Sequence, residues 1–443
     1  MMNMSLNPVP NNLDSYWMPF TPNRDFKQNA QIVSHASGMY YHTADGHKLL
    51  DGIAGLWCVN AGHGHPKIVE AIQKQAAQLD FASSFGLGHP LAFDYANRLT
   101  SIAPVGLDHV FFTNSGSEAT DTALKLALAY HHARGEGQRQ RIIGRQRGYH
   151  GVGFGGLSAA GMGPHKRQFG MLLPGVAHMP HTHDPLRNAF SLGQPLHGAE
   201  IADALEQMLQ TYDPSTVAAV IVEPVAGSTG VLVPPVGYLE RLRDICSRHG
   251  ILLIFDEVVT GFGRLGHAFA ADRFAVTPDL MAIAKGMTSG AVPMGGVLAS
   301  NGIYDTLTKS AAPGTVEFAH GYTYSGHPLA AAAGLAALEV YVSEGIFEHA
   351  ASVEPLWQEC AHALKGLPGV TDIRNLGLLA GIELGEDIAS GKILAKKVYD
   401  FCFANGLLVR PVANTLVLSP PLIIEEPEIE TIFTTIAAGL KAP

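Results

Sequence analysis

The feature that most constrains this chain is an alternation running from about residue 66 to residue 300. Short apolar, β-branched runs at 109–113, 141–145, 217–224, 250–257, 280–285 and 294–300 are separated by segments at 66–79, 117–134, 199–211 and 236–249 in which apolar residues recur at helical spacing. Strands this uniformly apolar need cover on both faces, and helices placed between them supply it. The pattern therefore predicts an α/β layer built on a mostly parallel sheet, with its active site at the carboxyl ends of the strands.

After residue 326 the pattern changes to helices at 328–345, 351–365 and 393–405 with short strands near 378–384, 406–410 and 415–418, which reads as a second, smaller α+β domain. The stretch 147–198, rich in Gly, His and Pro, reads as one long irregular loop, and a loop of that length in a compact enzyme is usually functional.

Composition removes several function classes. The formal net charge is −10 and no basic block stands out, so a phosphodiester backbone gains nothing from this surface and nucleic acid is not an expected partner. Cys58, Cys246, Cys360 and Cys402 are far apart and form no C-x-x-C pair, which argues against a zinc knuckle and a disulfide framework and points to a reducing, cytoplasmic setting. The first residues, MMNMSLNPVPNNLD, have neither a basic start nor an apolar core. The longest apolar helical run, Leu329 to Val342, is too short to span a bilayer, so neither export nor membrane insertion is expected. His63-x-His65 and His181-x-His183 lack a third ligand in sequence, and no metal is expected.

Three segments carry chemistry. In HVFFTNSGSEATDTALKLAL (109–128) a strand runs through a Ser-Gly turn into a helix whose Ala119, Ala123 and Ala127 share one face. Ser115 and Glu118 have capping-box spacing, which would leave the amides of Gly116 and Ser117 free for an anion, although a plain strand-to-helix turn looks much the same. The apolar strand ILLIFD (251–256) delivers Asp256 and Glu257 to its carboxyl end, where a carboxylate is costly unless it meets a cation. LMAIAKG (280–286) delivers Lys285 to the end of another. The pair is either a salt bridge or a Schiff-base lysine with a carboxylate partner. Gly151-x-Gly153-x-x-Gly156 and Gly261-x-Gly263-x-x-Gly266 match the dinucleotide fingerprint, so an oxidoreductase is the remote alternative. The first is not followed by a helical pattern, and the second follows two carboxylates that would repel a pyrophosphate.

Taken in order, TNSGSEA (113–119), RGYHG (147–151), VEP (222–224), FDEVVTGFGRLG (255–266), PDLMAIAKG (278–286) and HGYTYSGHP (320–328) resemble the class III aminotransferases, fold type I enzymes dependent on pyridoxal 5′-phosphate (PLP). WMPF (17–20), GLWCVNAGHGHP (55–66) and LLVRP (407–411) look most like the branch that moves an amino group from β-alanine, other ω-amino acids or primary amines to pyruvate; 4-aminobutyrate and diamine aminotransferases are the near alternatives.

The resemblance implies an N-terminal segment 1–60 that joins the small domain and the active site, a large PLP-binding domain 61–326 and a C-terminal small domain 327–443. It implies that Lys285 holds the cofactor covalently and, once freed, moves the substrate proton. Asp256 would pair with the pyridine nitrogen, a contact worth about 4 kcal/mol at about 4 Å and an effective dielectric near 20. Ser115, Gly116, Ser117, Tyr149, His150, Glu223 and Val258 would complete the cofactor site, with the phosphate on Gly116 and Ser117, Tyr149 stacked on one ring face and Val258 on the other. Thr323 would reach the phosphate from the neighbouring subunit of a homodimer, with a tetramer as the larger form. Phe20, Trp57, Phe85 and Tyr149 would form an aromatic substrate wall, Phe85 from this subunit or from its partner, with Arg410 as the carboxylate clamp. Relatives that use 2-oxoglutarate carry an acid in an E-P-x-Q-x-E-G-G pattern; this chain reads Glu223-Pro-Val-Ala-Gly-Ser228-Thr-Gly, so the acid that would hold the clamp aside is missing. The D-E-V-Q pattern likewise becomes Asp256-Glu257-Val258-Val259. Both departures favour pyruvate.

Overall fold

The structure, a computed structural model, describes residues 12–170 and 172–442; most of the amino-terminal run MMNMSLNPVPNNLD read above lies outside them. A seven-stranded sheet forms its centre. Its strands lie in the order Leu107–Thr113, Gly295–Ser300, Leu280–Ala284, Leu252–Asp256, Val217–Val222, Arg141–Arg145 and Val176–Met179. Neighbours from Leu280–Ala284 to Val176–Met179 are all parallel, and Gly295–Ser300 is antiparallel to both of its neighbours. Every residue of Val217–Val222, Leu252–Asp256 and Leu280–Ala284 is buried, as strands covered on both faces must be. The helix Gly116–Ala133 packs across Leu280–Ala284 and Gly295–Ser300, with Ala119, Ala123 and Ala127 fully enclosed on the expected face.

Two smaller sheets flank this layer. Val370–Leu376, Leu379–Leu384, Thr415–Leu418 and Arg410–Val412 form an antiparallel sheet in that order, joined by the helices Ile388–Ala404 and Glu426–Lys441. Val33–Ser37, Tyr40–Thr43 and Lys48–Asp51 form a meander, and Leu407–Leu408 adds to it in parallel beside Lys48–Asp51. The amino-terminal and carboxyl-terminal parts of the chain thus share a sheet.

The long stretch 147–198 is not one irregular loop. It contains the helix Phe154–Ala159 and the edge strand Val176–Met179, which pairs with Arg141–Arg145. An edge strand of four residues that includes a histidine has no apolar run to announce it. The helix before it lies so close to the sheet that a Cβ on Gly144 would stand 2.0 Å from the Ala159 carbonyl oxygen, so only glycine fits there. The helix expected at 351–365 begins earlier, at Ile346, and continues through Pro355. Among the described residues no single helix is long and apolar enough to cross a membrane.

Candidate active site

The site forms where three strands end. Leu252–Asp256 stops on Asp256, and Leu280–Ala284, its parallel neighbour, passes directly into Lys285. Lys285 takes a left-handed backbone (φ 52°), a costly conformation outside glycine that turns the chain sharply at the sheet edge. From the third strand, Leu107–Thr113, the chain enters the helix at Gly116. Ser115 Oγ accepts the Glu118 amide at 3.2 Å while Glu118 Oε2 accepts the Asn114 amide at 2.7 Å. The cap therefore closes as the Ser115–Glu118 spacing predicts, although Glu118 reaches the amide one residue earlier than in the usual capping box. The Gly116 and Ser117 amides, first in the helix, have no intrahelical acceptor to bind.

These elements surround a cavity of about 360 Å³. It collects Gly116, Ser117, Tyr149, His150, Glu223, Asp256, Val258 and Lys285 together with Phe20, Trp57 and Arg410. Ser115, Phe85 and Thr323 do not line it. The Ser115 hydroxyl is engaged in the cap, while Phe85 and Thr323 stand exposed on the surface of this chain.

Asp256 does not pair with Lys285. Its Oδ2 lies 2.9 Å from His150 Nδ1 and its Oδ1 accepts the Val258 amide at 3.1 Å. The salt-bridge alternative is thereby replaced by a carboxylate held in place by an imidazole. His150 is buried, and its other nitrogen, Nε2, has no partner among the described residues. Burial pushes the Lys285 amine down to about 8 against the opposing pull of Asp256, which makes it a nucleophile and base near neutral pH. Glu223 is 4% exposed and accepts the Tyr149 amide at 2.8 Å. Burial raises its carboxyl to about 7, moderated by His150. Arg410 lies with its guanidinium 5.2 Å from the Trp57 ring, burial draws its pKa down, and its Nε has no partner among the described residues.

Sequence reasoning missed Leu56, Met162 and His165, which also line the cavity. His165 meets the Tyr149 ring edge-on at 5.8 Å and the Phe20 ring at 5.4 Å. It sits in the stretch 147–198, where no local period marks it. Ser228 and Val259, read from the sequence as departures, do face the cavity. Elsewhere His183 comes within 3.4 Å of Glu383, near Asp372. Arg374 bridges both carboxylates and supplies the positive charge a metal would bring.

A parallel-rich sheet whose strand ends carry a lysine and a carboxylate, facing the open amino terminus of a helix, is the architecture of the fold type I PLP-dependent transferases. The chain belongs to the class III aminotransferases, whose family profile, described as aminotransferase class-III, matches residues 22–440. It is 57% identical over 427 residues to an omega-aminotransferase of Caulobacter vibrioides, covering 96% of this chain and 97% of that one. It is 44% identical over 447 residues to a beta-alanine–pyruvate aminotransferase of Pseudomonas aeruginosa, covering 99% of each. The omega-transaminase of Pseudomonas jessenii, solved in complex with PMP, superposes with a TM-score of 0.91 at 32% identity, covering 96% of each chain. The protein is a PLP-dependent aminotransferase.

The residues fit that cofactor. A Cβ on Gly116 would stand 2.8 Å from Val258 Cγ1, so the bare glycine is what lets the helix start, with its unpaired amides, lie directly against Val258 in the cavity lining. The unpartnered His150 Nε2 and the buried Asp256 carboxylate lie in the same cavity.

Proposed function

We propose that this chain is an ω-amino acid or amine:pyruvate transaminase, in which β-alanine, another ω-amino acid or a primary amine gives its amino group to pyruvate. PLP supplies an electron-accepting ring that makes the substrate Cα–H acidic. Lys285 anchors it and, with its pKa lowered by burial, is half-neutral near pH 8 and able to take and return a proton. Asp256, oriented by His150 and the Val258 amide, provides a fixed negative charge for the pyridine nitrogen. Gly116 and Ser117 hold the phosphate with amides at a helix start, while Tyr149 and Val258 confine the ring. Trp57, Phe20 and Tyr149 exclude water and take the body of the donor. Phe85 and Thr323 serve the site of a second copy, in a homodimer of the cytoplasm divided as 1–60, 61–326 and 327–443.

The observation that carries the substrate reading is Arg410 at the cavity edge with Ser228, not an acid, in the same lining. A guanidinium whose Nε has no partner among the described residues can clamp a carboxylate, and position 228 offers a hydroxyl and no acid to neutralise it in the other half-reaction. The names of the relatives from Caulobacter and Pseudomonas agree with this choice.

A donor screen with pyruvate, following alanine formation, tests it. Pyruvate should be preferred over 2-oxoglutarate by a wide margin. Arg410→Ala should raise KM for pyruvate and β-alanine about ten- to a hundredfold, the worth of a buried charged hydrogen bond, while arylalkyl amines change little. Efficient turnover with 2-oxoglutarate, or equal losses for both donor types, would overturn the assignment.

A further inference from the structure

The segment DGIAGLW (51–57) folds against its own backbone preferences. Ala54 (φ 46°), Gly55 (φ 66°) and Trp57 (φ 58°) all lie in the left-handed region, where two of the three carry a Cβ that disfavours it. Such a loop persists only where its surroundings over-determine it. Here the surroundings converge on Asp51, which is fully buried at the end of the strand Lys48–Asp51. Its Oδ1 accepts the Ile53 amide at 3.0 Å, and its Oδ2 accepts the Gly55 amide at 2.6 Å and His63 Nε2 at 2.7 Å. The Tyr41 ring packs on the His63 ring with centroids 4.2 Å apart.

The loop stands where substrate is to bind. Gly52 donates its amide to the Leu408 carbonyl at 3.0 Å, and a Cβ on Gly52 would stand 2.7 Å from that oxygen, so the Trp57 loop and the strand leading to Arg410 leave the sheet side by side. The Trp57 ring centroid lies 5.1 Å from Lys285 Nζ and 5.2 Å from the Arg410 guanidinium carbon. Trp57 is 4% exposed, so its ring is enclosed where it meets both cations.

We propose that Asp51, locked by His63, is a positioning residue for substrate specificity: by holding the amides of Ile53 and Gly55 it keeps the strained loop in the one conformation that sets the Trp57 ring against Lys285 and Arg410. It touches neither substrate nor cofactor, and acts through Trp57. The proposal rests on the assignment of Trp57 to the donor wall made above.

A double-mutant cycle on the holoenzyme tests it, with kcat and KM measured for an arylalkyl amine and for β-alanine, pyruvate being the acceptor. Asp51→Asn cannot accept both amides and the imidazole proton together. It should lower kcat/KM for the arylalkyl amine about tenfold or more, mostly through KM, and by less than about twofold when Trp57 is already alanine. A loss of the same factor in both backgrounds means that Asp51 merely supports the fold, and overturns the proposal. His63→Phe keeps the ring against Tyr41 but removes the donor; the same cycle with it should give a smaller loss that again vanishes with Trp57→Ala. This second cycle decides the matter if Asp51→Asn does not retain cofactor, and a loss of equal size in both backgrounds overturns the proposal there too. If Trp57→Ala alone leaves arylalkyl amine kinetics unchanged, the donor-wall assignment itself is wrong and the proposal falls with it.

Discussion

Replacing Asp256 with asparagine should make Lys285 a better nucleophile in the cofactor-free protein, although the same change cripples the complete enzyme. Burial takes the Lys285 amine from 10.5 to about 8, and the Asp256 charge works against that shift. At pH 7 an amine with a pKa of about 8 is about one-tenth neutral, whereas an ordinary lysine is neutral about once in three thousand, a ratio of about 300. Arylation of the apoprotein by a neutral aryl fluoride, with the label located by peptide mapping, reads this fraction directly. In the native chain the rate at residue 285 should climb tenfold per pH unit and level off above about 8. In Asp256→Asn the midpoint should fall further, because the charge that favours the ammonium is gone. The sign carries into stability. The folded pKa lies below the unfolded one, so the penalty for burying the ammonium is full below about 8 and is lost as pH rises to 10.5. The apoprotein should therefore gain stability across that window relative to Lys285→Met. A midpoint near that of a free lysine, or one that rises in Asp256→Asn, would refute the reasoning.

In the holoenzyme, Asp256→Asn should retain PLP but slow proton removal from the donor Cα about a thousandfold, since a charge contact of about 4 kcal/mol is lost; single-turnover rates with a Cα-deuterated donor measure it. Ser115→Ala removes the acceptor of the Glu118 amide and should cost about 1 kcal/mol, seen as a lower midpoint of denaturant unfolding. Gly116→Leu places side-chain atoms where even a Cβ would be 2.8 Å from Val258, so the variant should lose PLP on dialysis while its far-ultraviolet circular dichroism stays native.

The parts of this protein that were legible in sequence are those governed by short-range rules. Val217–Val222 is buried on both faces, and its unbroken apolar run says so without help from any other segment. The Ser115–Glu118 cap depends on residues three apart, and Asp256 and Lys285 were found because a charge at the end of an apolar strand needs a reason to be there. The strand Val176–Met179 and the meander Val33–Ser37, Tyr40–Thr43, Lys48–Asp51 escaped notice because an edge or half-exposed strand is short and only partly apolar.

Sequence by itself determined the order of the central buried strands and of the helices between them, the capped helix start at Ser115 and the residue types at the strand ends, because each follows from spacing within a few residues. Tertiary structure alone decided which of them meet. Asp256 could have paired with Lys285, and only the packing of the segment after Arg145 brings the His150 imidazole to it from 106 positions away. The parallel pairing of Leu407–Leu408 with Lys48–Asp51 sets Arg410 against Trp57, a distance of more than three hundred residues along the chain. Periodicity carries no record of such a meeting, since it is fixed by how buried surfaces close on one another and not by any local preference of the residues that touch.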